Sequence, residues 1–135
     1  MSRLLKKGRG WRIGWHPEAE FYQGLIGGES WAIELTATEF RELYRLLRQL
    51  TDTMAQMATE LMDEEKIAIE AESDLMWLEI TGYPNSYDLR LILHQDRRCE
   101  GNWEAGIASE LVLVMQRMIE ENSINSIIAR SKGNS

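Results

Sequence analysis

Early in the chain apolar and polar positions alternate with a period of two. Trp11, Ile13 and Trp15 fall on one face, Arg12 and His16 on the other, the pattern of a half-buried strand. Pro17 ends it, because proline brings no N–H to a ladder. Residues 21–26 read as a second strand and Gly27-Gly28 as a hairpin turn. Residues 30–35 read as a third strand that buries Trp31, Ile33 and Leu35. A weaker strand is predicted at residues 3–6.

Thr36 and Glu39 then have the spacing of a capping box, and the period changes. Phe40, Leu43, Leu47, Leu50, Met54, Met57 and Leu61 recur every three or four positions. This stripe predicts a helix over residues 37–62, about 39 Å long at 1.5 Å per residue. Such a helix is about twice the length of an ordinary strand, so one sheet cannot cover it. The stripe is either core laid across two sheets or a seam against a second copy of the chain, and the excess length favours a homodimer. The acidic run Asp63-Glu64-Glu65 has the wrong sign for a helix C-terminus and reads as linker.

The two-residue period returns at residues 66–72, 75–81 and 87–93, and more weakly over 97–103, where Cys99 and Trp103 share the apolar side. A second helix is predicted over residues 104–121, and residues 122–135, rich in Ser and Asn, are expected to fray. Short turns between strands imply antiparallel pairing. The prediction is a single α+β domain over 1–135, built from two antiparallel curled sheets of three to four strands, each followed by a helix. The halves are 1–62 and 66–121.

Composition narrows the function classes. The chain has 135 residues, 44% hydrophobic and 27% charged, a globular balance that excludes wholesale disorder. A single cysteine excludes an internal disulfide framework and any cysteine-based zinc site. No apolar run approaches the roughly 20 residues of a membrane span, and the first ten residues lack the apolar stretch of a signal peptide, so a cytoplasmic protein is expected. The net charge is −7, unevenly spread. Residues 1–16 hold Arg3, Lys6, Lys7, Arg9 and Arg12 and no acid, whereas residues 17–122 hold every acidic side chain. A body this acidic repels polyanions. The basic segment reads first as a solvated arm or an edge strand guarded by its charges.

Four stretches carry a family resemblance: Gly10-Trp11-Arg12, residues 27–36 (GGESWAIELT), Leu61-Met62-Asp63-Glu64-Glu65 and Glu100-Gly101-Asn102-Trp103. They resemble an uncharacterised family of cyanobacterial and plastid proteins known only as a domain of unknown function. The resemblance implies a fold similar to the single-stranded-DNA-binding transcriptional-regulator group that includes the plant Whirly proteins, with four strands and a helix, doubled. It brings no catalytic, metal or cofactor residue with it, and fold alone does not carry function.

Candidate chemistry is sparse. His16-Pro17-Glu18 has the H-x-E look of a zinc deaminase but lacks the paired thiolates that would hold the metal. His16, Glu18, Glu20 and His94 have no ligand spacing. Cys99 and His94 could meet across a hairpin as nucleophile and base, yet a buried structural cysteine is the better reading. The glycine pairs lack the Lys-Ser/Thr of a phosphate loop. Five tryptophans, Trp11, Trp15, Trp31, Trp77 and Trp103, either fill the two sheets' cores or offer stacking surfaces to bases. No enzyme activity and no cofactor are expected. The leading expectation is a binding or assembly module that recognises a protein partner or itself. The alternative is single-stranded nucleic-acid binding through Arg9, Trp11, Arg12, Arg97 and Arg98, which the acidic body disfavours.

Overall fold

The computed structural model describes residues 3–60, 65–94 and 97–122. Its first sheet has the order β1-β2-β3-β4 and comprises β1 (Leu4–Gly8), β2 (Trp11–Trp15), β3 (Gly24–Gly27) and β4 (Ala32–Leu35). Helix α1 (Ala37–Ala58) follows. The second sheet has the order β5-β6-β7-β8, with β5 (Ile67–Glu72), β6 (Met76–Tyr83), β7 (Ser86–Leu93) and β8 (Glu100–Trp103), and leads into α2 (Ala108–Glu121). Every strand pair is antiparallel. The α+β class, the two open four-stranded sheets and the helix after each agree with the sequence reading. No described helix is long and apolar enough to cross a membrane.

The two-residue period decides which side of each sheet is dry. Trp11, Ile13, Trp15, Ile26, Ile33 and Leu35 point inward from the first sheet, and Met76, Leu78, Ile80, Tyr87, Leu89, Leu91 and Trp103 from the second. All join one continuous core with both helices. Helix α1 starts on its predicted capping box: Thr36 Oγ1 accepts from Glu39 N–H at 3.1 Å, and Glu39 Oε1 accepts from Thr36 N–H at 2.9 Å. It packs on β3 and β4 of the first sheet, on β5 and β6 of the second, and on α2. Its length is thus used within one chain. Phe40, Leu43, Leu47, Leu50 and Met54 are buried there and Met57 half-buried, while Leu61 lies outside the described residues. Leu46 is buried too, which widens the apolar face beyond the narrow seam of a coiled coil.

Several boundaries move. β3 begins at Gly24 rather than 21 because residues 16–23 form a closed loop, and Phe21 stands in solvent. Gly27 is still strand; the turn is closed by Gly28 N–H donating to Trp31 O at 2.9 Å. β1 runs on to Gly8. β8 starts at Glu100, not 97, because Arg98 takes a positive φ of 44° that breaks the extension. α2 starts at Ala108, not 104, after Gly106 at φ 90° and a turn in which Ile107 and Ala108 N–H both bond Glu104 O. α1 ends at Ala58 instead of 62. Residues 61–64 and the expected frayed tail from 123 onward lie outside the described residues.

Candidate interaction surface

The residues singled out for nucleic acid do not converge on one open groove. Trp11 is core, 4% exposed. Arg12 lies flat on the first sheet's outer side, its Nε donating to Gly28 O at 3.0 Å and its Nη2 to Trp31 O at 2.8 Å. Arg97 donates to Glu34 O, lies 3.3 Å from Glu39 Oε2 and stacks over the Tyr22 ring at 4.8 Å. Arg9 and Arg98 are exposed. Among the described residues Glu39 is the one buried charged side chain. It caps α1 with one oxygen and faces Arg97 with the other, so Arg97 supplies the counter-charge for a carboxylate taken out of water.

Arg12 belongs to a joint between the two halves. The guanidinium holds the β3–β4 turn, and that turn carries Trp31. The Trp31 ring packs on Trp103 of β8, centroids 5.1 Å apart, and Trp103 Nε1 donates to Gly27 O at 3.0 Å. Gly101 is required here, because a methyl at that position would lie 2.5 Å from the Trp31 ring. Three of the stretches that carry the family resemblance meet at this joint.

The remaining chemical candidates are engaged elsewhere. His94 Nε2 lies 2.9 Å from Glu72 Oε2, and Cys99 Sγ donates to Arg97 O, so the two do not form a dyad. No group of three or more potential metal ligands exists among the described residues. A groove of about 650 Å³ beside α1 is lined by Arg41, Arg45, Glu42, Glu72 and Asp74. Its charges largely neutralise one another: Arg45 bonds Glu42 at 2.6 Å and holds that carboxyl below its usual range.

The outer end of the first sheet is different. One register row crosses all four strands as Leu5, Gly14, Leu25 and Glu34. It floors a cleft of about 220 Å³, walled by Arg3, His16 and Tyr22. Gly14 keeps the floor low: a methyl there would touch Leu25 and Leu5 only at an ordinary 3.5 Å. His16 Nδ1 is buried with no hydrogen-bond partner among the described residues. The loop above is pinned at both ends. His16 N–H donates to Gln23 O at 2.7 Å. The Gln23 side chain donates to Ala19 O at 2.9 Å and accepts from Ala37 N–H, the first residue of α1, at 3.0 Å. On this fixed loop Phe21 is 67% exposed and Tyr22 39%; Leu5 across the cleft is 58% exposed. The sequence reading placed Phe21 and Tyr22 in a strand over 21–26 and Leu5 in the weak strand over 3–6, and singled out none of the three as a binding residue. The available signal was an aromatic pair out of period within a polar stretch.

A family model described as a domain of unknown function, DUF1818, matches residues 6–118. The chain belongs to this family. A crystal structure from Prochlorococcus sp. NATL2A, described as a protein with unknown function from the DUF155 family, is similar to it. The identity is 32% and the TM-score 0.78, over 85% of this chain and 98% of that one. No curated protein matches.

Proposed function

We propose that this DUF1818 protein is a non-catalytic recognition module that binds a protein partner through the outer end of its first sheet. The observation that carries the reading is the exposure of Leu5 and Tyr22 at one cleft, with exposed Phe21 next to Tyr22 on a loop already fixed by hydrogen bonds. Large apolar side chains held rigidly in water cost free energy without a covering surface, and such patches mark interaction sites. A pinned loop also loses little entropy when a partner docks.

The Whirly-type likeness suggests single-stranded nucleic acid instead. That mode needs aromatic rings beside a cationic track. Trp77 is the tryptophan on the second sheet's outer face. Arg90 lies over its ring, but its Nε1 donates to Glu70 Oε2 at 3.1 Å and Glu72 and Glu79 share that face, so no cationic track runs beside it. This favours the protein reading.

Site-specific photo-cross-linking tests it. A benzoylphenylalanine placed at Phe21 should give a discrete protein adduct in the cells that express the chain, and the same group at Glu79, on the second sheet's outer face, should not. Equal adducts at both positions, or none at Phe21, would remove the proposal.

A further inference from the structure

Resting on the same reading, we infer that the partner presents an acidic extended segment that adds as a fifth strand to the free edge of β1. Three observations lead there.

The first is the edge itself. The first sheet ends at β1, and no strand among the described residues pairs with its far side. The opposite edge is partly covered, since Arg97 donates to the outward Glu34 O in β4. From Leu5 to Gly8, β1 is exposed on both faces, so its outward N–H and C=O groups can pair with another strand.

The second is charge. Arg3, Lys6, Lys7 and Arg9 stand along β1 and its flanks with no acid between them. Two copies of this edge repel each other, which guards against self-pairing. An acidic strand is attracted by the same charges.

The third is the side-chain order. Arg3, Leu5 and Lys7 share the outer face, and Leu5 is the β1 end of the row that floors the cleft. Directly opposed residues on neighbouring strands approach to about 5 Å and interact in pairs. The matching strand therefore places an apolar residue opposite Leu5, at the cleft's mouth, between acids opposite Lys7 and Arg3. On the other face it sets an acid opposite Lys6 and an apolar residue opposite Leu4.

An antiparallel peptide with this order is Thr-Glu-Glu-Val-Leu-Glu-Thr, blocked at both ends. Titrated into the full chain at low salt, it should bind with affinity that falls as salt rises. It should slow hydrogen exchange of alternate amides in Leu4–Gly8. Side-chain attraction alone would leave those amides unchanged. The double variant Lys6→Glu/Lys7→Glu alters only exposed side chains and keeps the fold. It should weaken the peptide by at least about tenfold, and a peptide with Lys-Lys in place of Glu-Glu should restore most of the loss. Three results would overturn the inference: no binding at low salt, binding without protection of β1 amides, or failure of the charge swap to rescue. A single-stranded oligonucleotide that protects the same amides more strongly would also overturn it. So would concentration-dependent pairing of β1 with the acidic β5 of a second copy. A cross-link at Phe21 with any of these failures leaves the partner site standing and removes only strand addition. Protected β1 amides with no Phe21 adduct would do the reverse.

Discussion

The two sheets share a strand order, a pairing sense and an apolar inner face, yet their outer faces have opposite characters. On the second sheet the outer positions include Glu70, Glu72, Glu79, Asp88 and Glu100, with Arg90 bridging to Glu100 at 3.5 Å and lying over Trp77. On the first they include Leu5, Lys7, Arg12, Gly14, Leu25 and Ala32, with Glu34 the acid within the strands. Folding draws on the inner faces, where the apolar area is removed from water. The outer faces are free of that constraint. Each half exposes apolar side chains, Leu5, Phe21 and Tyr22 in the first and Tyr83 and Leu113 in the second, but only the first sheet sets its exposed strand residue, Leu5, among basic side chains.

The comparison breaks hardest at the joint. Trp103→Ala removes the ring on which Trp31 rests and should cost about 3–5 kcal/mol in denaturant unfolding. Trp103→Phe keeps most of the packing but leaves Gly27 O without its donor, so a loss nearer 1 kcal/mol is expected. If Trp103→Ala costs no more than an exposed substitution, the halves are independent and the sheets are not comparable parts of one core. Next in size is Arg97→Ala. It leaves the buried Glu39 carboxylate without its counter-charge and should cost about 2 kcal/mol, with Arg97→Lys recovering part of it.

A pH titration sharpens the contrast between the inner faces. The second carries a phenol, Tyr87, and the first none. Burial pushes Tyr87 from the ordinary 10.0 up to about 12. A raised value means that the folded chain holds the proton longer than the unfolded one. Its contribution to stability is complete below the unfolded phenol's range and is lost as pH rises through about 12. Absorbance at the tyrosinate band should show a late phase that Tyr87→Phe diminishes, Tyr44 being raised as well by burial and its bond to Glu120. The smallest expected effect is on the outer end of the first sheet. Leu5→Ser should change stability by no more than about 0.5 kcal/mol, because Leu5 is 58% exposed and stands outside the core.

Much of this architecture was legible because sheet and helix periods report which side is dry. Tyr87, Leu89, Leu91 and Leu93 alternate in the sequence and all are buried; Thr36 and Glu39 announced α1 and cap it. Boundaries were less legible where a backbone angle decides. Nothing in the composition of residues 97–99 announces a positive φ at Arg98. Glu104 looks like the acid of a first helical turn, but the chain there is held by Asp88 Oδ1 accepting from Ala105 N–H at 2.7 Å. The candidate surface was the least legible. Reading Arg12 and Arg97 as free cations ignores that their acceptors are backbone carbonyls 16, 19 and 63 positions away, a relation no spacing rule contains. Leu5 and Tyr22 meet at the cleft from a strand and a distant loop, which only the fold brings together.

The hydrogen bond from Trp103 to Gly27 spans 76 positions. A chain synthesised from its N-terminus exposes Trp31 long before its partner ring leaves the ribosome. For that interval the nascent first half carries an uncovered indole, and Gly27 O bonds water in place of Trp103, so completion of this joint waits on translation of the second half. A chain cut short before Trp103 would leave the Trp31 ring without the surface it packs on.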